Sequence, residues 1–184
     1  MRPIFTIHAG EFVFGEAIEK LFPSADLWIP AKDRGIDFLI TVPGQEKSVS
    51  VQVKMSRDYS NALAKTEFDK RQLAGGWFKF SHEKIANSPA EIWSLILISR
   101  SRKTKPMFVN IRPDALLDKL ETTHGVKDSY DLYPWILKMH SKTICVEGRG
   151  LKKDAREQIA CGERIPESRD WTEHFEDWDI FNLN

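Results

Sequence analysis

The octapeptide Val49–Ser56, VSVQVKMS, alternates apolar and polar side chains along its whole length. Alternation with period two marks a strand with one buried face, so the valines are expected inward and Ser50, Gln52, Lys54 and Ser56 on the other side. Such an outer face needs no function, because an antiparallel sheet commonly shows one side to water. Gln52 and Lys54 nevertheless stand two residues apart on that face, an amide next to an ammonium.

The flanking segments turn this strand into part of a sheet. Phe14, Ala17, Ile18 and Leu21 recur at helical spacing and Pro23 ends the pattern, which predicts a helix over His8–Phe22. Glu11 precedes Phe14 by three residues and Ile18 by seven, so it shares their inward face. Strands are predicted over Asp26–Ile29, Ile36–Val42 and Val49–Met55, the last two joined as a hairpin through the turn PGQEK. Alternation in the second strand puts Ile36, Phe38 and Ile40 on one face and Asp37, Leu39 and Thr41 on the other. Asp37 is thus a carboxylate among apolar neighbours, and the hairpin brings it close to Gln52. With Glu11 aimed at the same end, two carboxylates, an amide oxygen and an ammonium would converge. Oxygen donors of this kind suit a hard divalent cation.

Farther on, Ala62–Leu73 reads as a helix or a loosely ordered connection, and GGWFKFS at Gly75–Ser81 as a strand. The run Ile92–Ser99, IWSLILIS, has the length and apolarity of a central strand buried on both faces. MFVNI at Met107–Ile111 is expected to pair with it across the turn RSRKTK, and Pro113 opens a helix through Leu120. KTICVEG is read as a strand and LKKDAREQI as a short helix, and Trp171, Phe175 and Trp178 form an aromatic packing face, against either the body or a second subunit. The fold class expected is α/β, a central mixed β-sheet flanked by helices.

Composition sets the outer bounds. A chain of 184 residues, 41% hydrophobic and 29% charged, suits one soluble globular domain, with no run long enough to span a membrane and no signal-peptide pattern. Two cysteines, Cys145 and Cys161, outside any CxxC spacing, are expected to be reduced thiols in a cytoplasmic protein. The formal net charge is zero but unevenly spread: Glu163–Asn184 holds seven acids against two bases, so the rest of the chain is modestly basic. Arg100, Arg102, Lys103 and Lys105 crowd one turn, where they could either be solvated or grip phosphates. No glycine-rich phosphate loop, G-x-S-x-G elbow or metal-ligand histidine spacing is present, which argues against a nucleoside triphosphatase, a serine hydrolase and a zinc site.

The series Gly10-Glu11, then RGIDFLI, then VQVKMS resembles the PD-(D/E)xK nuclease superfamily, in the QxK form found in some of its branches. The resemblance runs from Ile7 to about Ile111. It implies a restriction endonuclease-like αβββαβ core over about 7–120, followed by an extension over about 121–184 that ends in the acidic aromatic tail, all within a single domain of residues 1–184. It further implies a metal-dependent endonuclease that hydrolyses nucleic acid, DNA in the first instance, with Mg²⁺ as the cofactor and Mn²⁺ as a substitute. Residue by residue, Asp37 matches the metal-binding aspartate, and Gln52 stands where most members carry Glu or Asp. Lys54 matches the lysine that orients or activates the attacking water. Glu11 matches the first-helix glutamate of some branches, and the main-chain carbonyl of Val53 is a further implied ligand. Arg100, Arg102, Lys103 and Lys105 become the expected nucleic-acid contacts, and a homodimer suits the cutting of both strands of a duplex. Gly35-Ile36 replaces the family's proline before the aspartate, and the neutral amide of Gln52 leaves the site with two carboxylates. Those two departures keep open a second reading, a catalytically inactive nuclease-like fold that binds nucleic acid or protein.

Overall fold

The structure, a computed structural model, describes residues 8–32, 34–59, 65–98 and 105–183. The first helix, α1 (Ala9–Leu21), forms where the periodicity predicts it, with Phe14 and Ile18 buried beneath it. Its start is fixed by the Glu11 carboxylate, which accepts the His8 backbone N–H at 3.0 Å, and Lys20 complements the dipole in its last turn. Three antiparallel strands follow: β1 (Asp26–Trp28), β2 (Phe38–Thr41) and β3 (Ser48–Met55). Their register pairs Leu27 with Ile40, Ile40 with Val49 and Phe38 with Val51, so the apolar residues of all three strands share one side.

A long crossover then carries α2 (Glu67–Arg71), β4 (Gln72–Gly75), β5 (Phe78–Ser81) and α3 (His82–Ala86) before the chain re-enters the sheet as β6 (Ile92–Leu97). β6 lies parallel to β3, with Gln52 opposite Trp93 and Lys54 opposite Leu95, and every one of its residues is buried. β7 (Met107–Ile111) returns antiparallel, completing a five-stranded mixed sheet of order β1-β2-β3-β6-β7. After α4 (Pro113–His124) come β8 (Ser129–Leu132), β9 (Pro134–Lys138), β10 (Thr143–Glu147) and α5 (Lys153–Ala160). β8 pairs with β5, and β9 stands between β4 and β10 in a three-stranded sheet.

The expected class, a mixed sheet flanked by helices, is therefore the observed one. Several local expectations change. Gly75–Ser81 is not one strand: β4 and β5 break apart at Gly76-Trp77 because they pair with different partners, β9 and β8. In the Ala62–Leu73 stretch only Glu67–Arg71 is helical and Leu73 belongs to β4, while residues 60–64 lie outside the described residues. The segment after residue 121 is woven into the fold through β8, β9 and β10. The tail aromatics pack on their own chain, Trp171 and Phe181 fully buried and Phe175 and Trp178 half-buried.

Two cores lie on opposite sides of the main sheet. Phe14, Ile18, Phe38, Ile40, Val51 and Val53 join Phe108 and Phe181 under α1 and the tail. Trp93, Leu95, Leu97, Val109 and Ile111 pack on the other side against Phe78, Phe80, Leu116, Leu120, Ile136 and Trp171. Among the described residues no helix is long and apolar enough to cross a membrane. Both cysteines are free thiols, Cys145 buried and Cys161 exposed.

One buried carboxylate ties the later elements together. Glu147, wholly inaccessible at the end of β10, accepts backbone N–H bonds from Tyr133 (3.1 Å) and Arg149 (2.9 Å) at one oxygen. Its other oxygen receives the Arg169 guanidinium at 2.9 Å and His124 Nε2 at 3.1 Å. Burial pushes the Glu147 carboxyl up, opposed by those two backbone bonds and by the Arg169 charge. Burial and the positive charge of Arg169 push His124 down to about 4, so the imidazole meets Glu147 as a neutral N–H donor and Arg169 is the ionic partner. Replacing Glu147 by Ala leaves that guanidinium and two N–H groups stranded, and a loss of about 3–5 kcal/mol in denaturant unfolding is expected. In an NMR titration the His124 ring is expected to keep its neutral shifts through the ordinary histidine range near pH 6.5. It should move only on approaching about pH 4.

Candidate functional site

The two strands that carry the motif part company at Asp37. The last regular rung is Phe38 with Val51, and the Asp37 N–H also reaches the Val51 carbonyl at 2.8 Å, so the regular register stops short of Gln52. The next donor on β3, the Val53 N–H, is taken by the Asp37 side chain: Oδ2 accepts it at 2.6 Å. The carboxylate thus stands in for a strand carbonyl, β2 begins at Phe38 instead of at Ile36, and β3 continues beside β6 alone. Ile36 accordingly leaves the Phe38–Ile40 face on which alternation would put it and packs with the opposite core.

Gly35 makes this departure sterically open. Its φ of +83° is one that L side chains rarely adopt, and a Cβ there would point at Pro89, 3.4 Å away, and lie 3.7 Å from Gln52 Nε2. The pair Gly35-Ile36 that stands in place of the expected proline thus begins with a left-handed turn near the amide of Gln52.

Gln52 and Lys54 share the face of β3 that carries Trp93 and Leu95 on the neighbouring strand, and both are half-buried at its rim. Among the described residues, neither the Gln52 amide nor the Lys54 ammonium has a hydrogen-bond or ion-pair partner, and Asp37 Oδ1 has none either. The amide and the ammonium thus share one face of β3, and the Asp37 carboxylate is held at the Val53 N–H between them. Partly buried polar groups are normally satisfied, so such a cluster is disposed to take a ligand.

Glu11 is placed differently. α1 covers the valine side of β3, where the Gly10 position rests on Val53 and Met55, and Gln52 and Lys54 lie on the other side. Glu11 is thus near the same end of β3 but across the sheet from the amide and the ammonium, with its carboxylate turned back to His8. The Val53 side chain is buried in the core beneath α1, and its backbone lies at the site through the bond to Asp37. Of the basic turn, Arg100, Arg102 and Lys103 lie outside the described residues. Lys105 is exposed just ahead of β7, which leaves the end of β6 that runs parallel to the Lys54 end of β3.

The donor set fits a magnesium ion of limited protein coordination. Mg²⁺ commonly keeps several waters and is held by one or two carboxylates together with substrate phosphate oxygens. Asp37 Oδ1, the Gln52 amide oxygen and a main-chain oxygen of Val53 could supply the protein's share.

Some participants were not visible from the motif. Ser56 continues the row of Gln52 and Lys54, and its hydroxyl accepts the Trp77 N–H at 2.8 Å, bringing Gly76-Trp77 to the end of β3. The paired glycines of GGW were the available signal, though not which strand they approach. The Glu147 cluster went unnoticed as well, although a carboxylate closing the apolar run TICV was a hint of buried charge. Comparison of the chain with models of protein families, with curated proteins and with solved structures returns no match.

A substitution at the turn isolates its contribution. Gly35→Ala is expected to lower stability by about 1 kcal/mol or more in thermal unfolding, because alanine disfavours positive φ and its methyl group crowds Pro89.

Proposed function

We propose that the protein hydrolyses phosphodiester bonds of nucleic acid, DNA in the first instance, at the site formed by Asp37, Gln52 and Lys54. The observation that carries this reading is the parting of β2 from β3 at Asp37, whose carboxylate holds the Val53 N–H between Gln52 and Lys54, two polar residues that share one face of β3. The order α1, three antiparallel strands, crossover and parallel β6 agrees with the αβββαβ arrangement of the nucleases that the motif resembles. Lys105 adds a cationic group at the same end.

Mg²⁺, when bound, supplies charge neutralisation at the phosphate and a water of lowered pKa. The chain's own groups have distinct tasks. The Val53 N–H fixes Asp37 through one oxygen and leaves the other for a cation. Gln52 offers a neutral oxygen beside it. Lys54 places a positive charge and three N–H donors where an attacking water or a phosphate oxygen gathers negative charge.

A second reading has its own support: Glu11 is engaged in capping α1, across the sheet from Gln52 and Lys54, and Gln52 adds no charge, which leaves Asp37 as the charged ligand bonded to β3. On that reading the fold binds nucleic acid without cutting it. Plasmid nicking decides between them. Lys54→Ala and Asp37→Ala should each lower Mg²⁺-dependent nicking by about a hundredfold or more while circular dichroism stays unchanged. Full cleavage by either variant would sink the catalytic assignment. Calorimetry with Mn²⁺ in the presence of oligonucleotide is expected to show Asp37-dependent binding. DNA retention with no such binding favours the non-catalytic module.

A further inference from the structure

Beyond Lys54 the row of side chains on this face of β3 ends at Ser56, whose hydroxyl donates to the Arg57 carbonyl at 2.8 Å as it receives the Trp77 N–H. The indole anchored there is 40% exposed and meets Tyr59, 46% exposed, edge to face, with ring centres 5.8 Å apart and planes at 81°. Both residues are fixed. The Tyr59 N–H donates to the Gly75 carbonyl at 2.8 Å, and Trp77 Nε1 donates to Asp131 Oδ1 at 3.2 Å.

Large aromatic side chains normally contribute their area to a core. Here two are held rigid at the surface, and an edge-to-face pair leaves ring faces uncovered. Ser56 is roughly 7 Å along β3 from Lys54, within one nucleotide of a phosphate at the site. Arg57 and Lys79 are exposed nearby, Asp58 adjoins Tyr59 in the chain, and Asp131, the acceptor of the Trp77 indole, is matched by Arg149 at 3.4 Å.

We propose that Trp77 and Tyr59 form a stacking platform for an unpaired nucleobase of the strand whose phosphate lies at Asp37, Gln52 and Lys54. A base inside a duplex has both faces covered, so the platform selects single-stranded, frayed or flipped nucleotides. This inference rests on the phosphodiesterase reading of that site and names its substrate class.

The test is fluorescence anisotropy of the full chain, without divalent cation so that nothing is cut, using a short labelled oligothymidylate, an abasic strand of equal length and a duplex. Wild type should bind the oligothymidylate more tightly than the other two probes. Trp77→Ala and Tyr59→Ala should each weaken that binding by about 5- to 150-fold and leave abasic-strand binding unchanged, while Trp77→Phe retains most of it. Equal affinity of wild type and Trp77→Ala, or equal affinity of wild type for the thymidylate and abasic strands, overturns the platform. So does a variant whose only defect is lost self-association. The two readings fail separately. Base-dependent binding lost in Trp77→Ala, alongside normal nicking by Lys54→Ala, keeps the platform and removes the catalytic assignment. Lys54-dependent nicking with Trp77→Ala binding unaltered does the reverse.

Discussion

The bond from the Val53 N–H to the Asp37 carboxylate is the constraint around which the site is arranged. In a continuous hairpin that donor would find a carbonyl of β2. Using a side chain instead lets β2 leave the sheet without orphaning a buried N–H, an omission that costs about 1–3 kcal/mol. The acceptor is charged, which makes the bond shorter and stronger than an amide–carbonyl bond. One interaction therefore ends a strand, opens the edge of β3 beyond Gln52 and orients a carboxylate. Gly35 is its backbone counterpart, since the turn before Asp37 uses a φ of +83° that L side chains rarely adopt.

An open strand edge invites unwanted pairing, and the fold deals with its two flanks differently. At β3 the newly exposed edge is short and carries the polar row of Gln52, Lys54 and Ser56. At the far flank, β7 is covered by the tail: Phe175 bridges Val109, the Glu176 N–H donates to the Phe108 carbonyl at 2.9 Å, and Glu176 Oε1 accepts the Phe108 N–H at 2.9 Å. The aromatics that follow are drawn into the core under α1, where Trp178 lies against Phe108 and Phe181 against Phe14. The Ser94 hydroxyl donates to Asn110 Oδ1 at 2.7 Å and Asn110 Nδ2 donates to the Asp177 carbonyl at 3.1 Å, a buried polar line from β6 through β7 to the tail. The tail is a structural edge cover, and its apolar stripe is consumed within the chain.

What the sequence disclosed depended on whether the deciding force was local. α1, β3, β6, β7 and α4 were legible because their apolar spacing, Pro23 and Pro113 state helix or strand within a few residues. The nearness of Asp37 and Gln52 was legible too, since a hairpin register follows from its turn. The side of the sheet was harder. Alternation predicts Asp37 opposite in direction to Ile36 and Phe38, but the bend at Asp37 sends Ile36 and Phe38 to different cores, a consequence of one long-range hydrogen bond that no periodicity encodes. Glu11 shows the same limit. Helical phase put it on the inward face, whereas its carboxylate found a local donor at His8, and α1 chose the valine side of β3 over the side bearing Lys54. The split of Gly75–Ser81 into β4 and β5 follows from pairing with β9 and β8, segments that come much later in the sequence.

Net neutrality is no obstacle to a polyanionic ligand once the acids are located. Glu173 pairs with Lys119 at 3.0 Å, and Glu176 spends one oxygen on the Phe108 N–H and the other on Trp178 Nε1 at 2.9 Å. Glu176 sits beside Phe108, which pairs with Ile96, which in turn pairs with Met55. Three strand spacings put it roughly 14 Å from the end of β3. The Debye length at 0.1 M salt is about 10 Å, so an exposed charge at that distance is largely screened at Lys54. That end carries Lys54, Arg57 and Lys105, with Asp58 beside Arg57, while Glu176 is committed to β7 and Glu173 to Lys119. Where each carboxylate finds its donor, and not the total charge, determines what field this face presents.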